Sequence, residues 1–206
     1  MEIRNTKKNT KNAGFTLVEI LFSISILIII VLLMTLFARN TWVYNDFVSA
    51  SLEEIDAVRT ALKIMTAEIR TAGTAETGAY TISQATSSAF SFYSDIDSDR
   101  LKEKVRYFFE NGILKKGVIK PTGAPLSYDS ANETISTIAS SITSSSIFNY
   151  YDKNYDGTTS PLSSPVNIPL IRLVKITITI DKNPNRSPTP KTFTTQVSIR
   201  NLKDNL

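Results

Sequence analysis

From Ile20 to Ala38 the chain runs for nineteen residues without a charged side chain. At 1.5 Å rise per residue, such a run makes a helix of roughly 28 Å, close to the hydrocarbon thickness of a bilayer. The segment can span a membrane. The remainder of the 206 residues suffices for one domain of ordinary size with its own core.

The flanks of the run differ in charge. Met1 to Gly14 carries Arg4, Lys7, Lys8 and Lys11 against Glu2, whereas the turns after the run offer Arg39 and Arg59 against Asp46, Glu53, Glu54 and Asp56. The positive-inside rule then places the N-terminus in the cytoplasm and everything after Ala38 outside it. The formal net charge of +4 owes much to the first fourteen residues, because without their four basic and one acidic side chains the 23 and 19 of the whole chain fall to 19 and 18. The rest is nearly neutral, so the basic pI carries no nucleic-acid inference. Cysteine is absent, and the exported part must hold together by packing alone. Histidine is absent too, which removes the usual general base, the commonest metal ligand and every Ser-His-Asp or Cys-His arrangement.

An ordinary secretory signal has its small-residue cleavage site after the apolar region. Here Ala13 and Gly14 come before it, directly after the basic stretch, so a cut there leaves the apolar helix on the mature protein. The pattern "AGFTLVE", with Gly14, Phe15 and Glu19 in register behind a basic leader and ahead of about twenty apolar residues, resembles the signal of type IV pilins and type II secretion pseudopilins. That resemblance implies cleavage by a prepilin peptidase between Gly14 and Phe15, methylation of the new N-terminus at Phe15, and a part for Glu19 in setting subunit register. Physical chemistry supplies a reason for the glutamate. A charged amine on Phe15 in apolar surroundings is tolerable only with a partner, and Glu19 lies one helical turn away in the same chain or can meet the amine of a neighbouring subunit. The plainer reading is that Glu19 snorkels to water at the end of an anchor.

No Pro or Gly occurs from Phe15 until Gly73, so one helix over residues 15–72, on the order of 85 Å, is allowed. Val48, Leu52, Ile55, Val58, Leu62, Met65 and Ile69 recur at spacings of three and four as one apolar stripe, with Glu53, Glu54, Lys63 and Arg70 on the other face. The first half, residues 15–38, is apolar all round and the second amphipathic, as expected of a membrane or filament-core segment that continues into a helix packed on a globular part. Trp42 and Tyr44 suit either an interfacial belt or packing.

Beyond the Gly73–Gly78 turn the signals are those of strands. Phe90, Phe92 and Tyr93 form one run; "VRYFFENGILKKGVIK" reads as a hairpin turning at Asn111-Gly112; "SIFNYYD" and "KTFTTQVSIRNL" read as further strands. In "IRLVKITITI" the set Val174, Ile176, Ile178, Ile180 makes an apolar face broken only by Arg172. Ile135, Ile138 and Ile142 suggest a helical turn within "TISTIASSITSSS". The expected class is α+β, the amphipathic half of the helix laid on an antiparallel β-sheet. This layout resembles the pilin fold, and the later segments look like minor pilins of the PilW kind and J-type minor pseudopilins. Major pilins commonly carry a glycine and a proline in the apolar segment, and Phe15 to Ala38 has neither. Many Gram-negative pilins close the C-terminal region with a disulfide, a feature this chain lacks.

Two acidic clusters have the 1, 3, 5 spacing of a calcium loop: Asp95, Asp97, Asp99, and Asp152, Asn154, Asp156 with Gly157 at position six. Neither has a glutamate at position twelve, where Arg106 and Ser163 stand, and tight turns call for the same residue types. No metal ligand and no cofactor is assigned. The seven basic residues against two acidic from Ile171 to Leu206 read as solvated strand faces, without a nucleic-acid partner.

The expected organisation is a cytoplasmic leader, residues 1–14, that is removed; a helix, 15–72; and a β-sheet domain, 73–206. The expected function is that of a minor pilin or pseudopilin, a structural subunit and not an enzyme, that primes or caps a type IV pilus or type II secretion pseudopilus. Its partners would be other subunits, the prepilin peptidase, the inner-membrane assembly platform and membrane lipid. It would sit in the cytoplasmic membrane with a single pass before entering a filament. A membrane-anchored exported binding module is the alternative.

Overall fold

The computed structural model describes residues 14–181 and 190–202. The chain divides into two compact units, Met1–Ser49 and Ala50–Leu206. Among the described residues one α-helix, α1 (Leu17–Arg70, 54 residues), contributes to both.

In the first unit the span Leu17–Trp42 has a mean hydropathy of 3.1 over its most apolar window, and none of that window is buried. The hydroxyls in this stretch turn back on the helix: Ser23 donates to the Glu19 carbonyl at 2.8 Å, Ser25 to Leu21 at 2.8 Å and Thr41 to Phe37 at 3.0 Å. Each of these hydroxyls is thus satisfied within the segment, as an apolar solvent requires. Trp42 and Tyr44 are exposed.

Among the described residues, the strands lie in the second unit. β1 (Ile82–Ala85), β2 (Ala89–Ser94), β3 (Glu103–Glu110), β4 (Ile113–Ile119) and β5 (Thr134–Ala139) form a five-stranded antiparallel meander in that order. β6 (Phe148–Tyr151), β7 (Leu173–Ile180) and β8 (Lys191–Ser198) form a second, three-stranded one. The expectation of one sheet becomes two. They are stitched where the chain after β5 meets the end of β7: Thr143 N–H donates to Thr179 O at 2.9 Å and Asp181 N–H to Ser141 O at 3.0 Å.

The core follows the sequence pattern closely. Ile55, Val58, Leu62, Met65 and Ile69 of α1 are buried against Phe92, Val105, Tyr107 and Leu114 of the first sheet and Val174, Ile176, Ile178 and Val197 of the second. Each such side chain contributes about 1.5–3 kcal/mol. Phe90 joins the sheets, its ring 5.3 Å from Phe92, 5.9 Å from Phe148 and 5.6 Å from Tyr150. The hairpin turns at Asn111 (φ 51°) and Gly112 (φ 79°), the pair of positive φ values that a two-residue turn matched to strand twist needs. Arg172, the break in the apolar face, donates to the carbonyls of Pro169 at 2.7 Å and Ile171 at 3.0 Å.

Two expectations change. Val48 and Leu52 are about half exposed, 51% and 55%, because the buried stripe begins one turn later at Ile55. Ile135 and Ile138 lie not in a helical turn but in β5, paired with β4 through Gly117↔Ile135 and Lys115↔Thr137. A neighbouring strand offers this segment a full ladder of partners, and β-branched Thr and Ile suit it. Gly117 makes room for the Glu133 side chain, whose carboxylate a Cβ there would overlap. Glu133 instead receives a bidentate pair from Arg106, both bonds 2.8 Å.

One polar node ties α1 to the first sheet. Glu68 accepts from Lys116 Nζ and from the Tyr107 hydroxyl, each at 2.6 Å, with both members of the ion pair mostly buried. Burial first, and then the Glu68 charge, push the Tyr107 hydroxyl far above its ordinary pKa. At its C-terminus the helix is closed by side chains. Thr71 Oγ1 donates to the carbonyl of Glu68, and Asn201 Nδ2 donates to Ala72 O at 2.9 Å. Gly73 follows, where a side chain would meet Asn201 and Lys102 at 3.0 Å, and its N–H donates to Tyr93 O at 2.8 Å.

Candidate functional site

The residues singled out at the N-terminus form one contiguous feature. Gly14, Phe15 and Thr16 precede the helix, and all residues from Gly14 through Glu19 are exposed. The basic leader, residues 1–13, lies outside the described residues. Thr16 is the N-cap: its carbonyl accepts the Ile20 N–H at 3.2 Å and its Oγ1 accepts the Glu19 N–H at 3.3 Å. Glu19 therefore occupies the third helical position, in the first turn.

That arrangement gives the glutamate two properties at once. Its carboxylate stands at the positive end of α1, where an anion is stabilised by the first-turn N–H groups. It also stands one turn from Phe15, the residue that would bear an amine after a cut behind Gly14. The spacing Thr16-x-x-Glu19 is the signature of a capping box, a local signal that the sequence itself carries. Next to the capped turn, the peptide between Gly14 and Phe15 lies outside regular structure and is exposed, and nothing stands within 4 Å of the position a Gly14 side chain would take. Such a bond is accessible to a protease, and the helix beyond it is intact.

The second acidic cluster serves its own loop. Asp152 accepts the backbone N–H of Asn154 at 2.9 Å, and Asp156 Oδ1 accepts from the backbone N–H and the hydroxyl of both Thr158 and Thr159 at 2.6 to 2.9 Å. Those bonds, the Thr159 hydroxyl foremost, hold the Asp156 carboxyl well below the usual carboxylate range. These are the turn bonds that Asp and Thr make in tight loops. In the first cluster Asp95, Asp97 and Asp99 converge, with carboxylate oxygens within 4.8 Å of one another.

Residues 9–35 match the family described as the prokaryotic N-terminal methylation motif. No curated protein matches the chain. The matched segment holds the end of the leader, Gly14, Phe15, the Thr16 cap, Glu19 and most of the uncovered apolar span. The chain therefore carries a type IV pilin-like N-terminal signal, joined to an exported protein of α+β, pilin-like fold.

Proposed function

We propose that this protein is a minor pilin or pseudopilin, a structural subunit that primes or caps assembly of a type IV pilus or type II secretion pseudopilus. A prepilin peptidase cuts between Gly14 and Phe15, the new amine of Phe15 is methylated, and Glu19 sets register by pairing with the amine of a neighbouring subunit. The observation that carries this reading is the continuity of the matched signal with a helix whose Leu17–Trp42 span is long and apolar enough to cross a membrane and is unburied among the described residues. A bilayer covers it first and the helices of other subunits afterwards. The leader stays in the cytoplasm and everything after Ala38 lies outside. The absence of Gly and Pro from Phe15 to Ala38 supports a minor rather than a major subunit. The role is assembly through protein contacts, not catalysis.

The test is the intact mass and N-terminal sequence of the protein recovered from membranes that contain its peptidase. A start at Phe15 carrying one methyl group is expected, and Glu19→Ala then lowers incorporation into filaments. A chain still starting at Met1 would reduce the apolar span to an anchor. One observation favours an exported binding module instead: Arg59, Lys63 and Arg70 of α1 line grooves along β8 together with Thr195, Gln196 and Arg200. Normal filament assembly with residues 73–206 exchanged, together with loss of recognition of an acidic surface, would favour that reading.

A further inference from the structure

β8 is the last strand of the second sheet, and among the described residues it pairs with β7 alone. Its other edge presents a row of backbone N–H and C=O groups with no strand beside them, a template for a further strand. The groove between α1 and β8 lies on this edge. Thr195 belongs to the inner face of β8, opposite the buried Ile176, whereas Gln196 and Ser198 belong to the outer face, opposite Lys175 and Leu173. Thr195 borders one part of the groove, Gln196 and Ser198 border the next, and Arg70 is common to both. The two faces of a strand meet only at its edge.

The wall of the groove is cationic. Arg59, Lys63 and Arg70 of α1 and Arg200 beyond β8 line it, and all four are exposed. Arg59 reaches Asp56 at 3.9 Å and lies 5.8 Å from the Phe193 ring, while Lys63, Arg70 and Arg200 form no ion pair with a described residue. The described lining residues include no carboxylate. From Arg59 to Arg70 the helix advances about 16 Å. An extended chain covers that distance in about five residues, and its side chains return to one face at every second position. Acidic residues at alternate positions of a strand added to β8 would therefore face the row of cations. A second copy of this chain would bring the same charges and be repelled, and a nucleic-acid duplex would use the cations but leave the open backbone edge unpaired.

We infer that the edge of β8 docks an acidic, extended segment of another exported chain, which joins the second sheet as a strand and sets alternate carboxylates against Arg59, Lys63 and Arg70. Backbone pairing supplies the affinity, and the cations select the segment by charge and spacing. This gives the exported-module reading a class of partner and rests on the same grooves. It is independent of the cut before Phe15 and of the register role of Glu19.

The test uses the full chain in detergent micelles and two labelled heptapeptides of equal composition, Glu-Thr-Glu-Thr-Glu-Thr-Glu and Glu-Glu-Glu-Glu-Thr-Thr-Thr, with binding read by fluorescence anisotropy. The alternating peptide is expected to bind about tenfold more tightly than the block peptide and to slow amide exchange in residues 191–198. The double variant Lys63→Glu with Arg70→Glu, both at exposed helix positions, weakens the alternating peptide about tenfold or more and leaves the thermal transition in place. Equal binding of the two peptides, or unchanged exchange in residues 191–198, overturns strand addition. Binding undiminished in the double variant overturns this groove while leaving recognition of an acidic surface elsewhere on residues 73–206 intact. A DNA duplex that binds more tightly than the alternating peptide, and loses that binding in the double variant, overturns the peptide as the occupant. Binding of none of the three probes overturns the docking edge altogether.

Discussion

The two stretches of α1 are built from similar side chains and meet opposite fates. Ile28, Ile29 and Leu32 in the first are more than half exposed, whereas Val58, Met65 and Ile69 in the second are fully buried. Hydrophobicity alone does not decide which residues form the core of a chain. The second stretch is amphipathic and has two sheets to bury one stripe against, while the first is apolar on every side and would need a solvent that surrounds it. The hydroxyls that bond back onto their own helix in the first stretch mark the same division. The first stretch is adapted to a medium and the second to a particular surface.

The sharpest way to break this contrast is to place the same charge in each stretch. Val58→Asp buries an unpaired carboxylate and is expected to cost more than about 4 kcal/mol, enough to abolish the cooperative thermal transition of residues 50–206. Ile28→Asp leaves that transition in place but adds about 2.5–3.5 kcal/mol to membrane insertion, read as loss of protein from the membrane fraction. Equal effects of the two on folding would erase the distinction.

Gly117→Ala is next in size. The new methyl displaces Glu133 from above β4 and breaks its bidentate pair with Arg106, at about 2 kcal/mol by chemical denaturation. Thr16→Ala removes the N-cap for about 1 kcal/mol, confined to the first stretch. Faster amide exchange from Leu17 to Ile20 with an unchanged melt of the sheets is the expected result.

The smallest effect is a pH dependence at Glu76. Hydrogen bonds from Lys102 hold its carboxyl below its ordinary 4.5. A carboxylate with a lowered folded pKa stabilises the fold above the unfolded value and loses that contribution as the pH falls through the folded one. Wild type should therefore exceed Glu76→Gln in urea midpoint at neutral pH, and the gap should narrow below about pH 4.5. A gap that does not change with pH would assign the effect to shape, not charge.

What the sequence makes legible is local. The Asn111-Gly112 turn and the alternation in β7 depend on neighbours in the chain, and both appear in the structure where the residues point to them. The Gly14, Phe15 and Glu19 register is local as well. The strand at Thr134–Ala139 was not legible, because Ile135, Ile138 and Ile142 happen to fall at helical spacing and the partner that decides the matter, β4, is supplied by another part of the chain. The division into two sheets is equally long-range. The burial of Glu103 is long-range too: the sequence shows a charged residue at the start of a strand, and only the tertiary fold makes it a buried one.

The closing of the helix end by Asn201 has a mechanical consequence. Residue 201 reaches back across 129 positions to bond with Ala72, in a chain with no cysteine to form a covalent clasp. A pull along the second stretch of α1 would be taken up by Ile55, Val58, Leu62, Met65 and Ile69 together, sliding against the sheets in shear. The load would be shared across five packed side chains at once, while the weak closure at Ala72 and Gly73 is spared from being peeled one bond at a time.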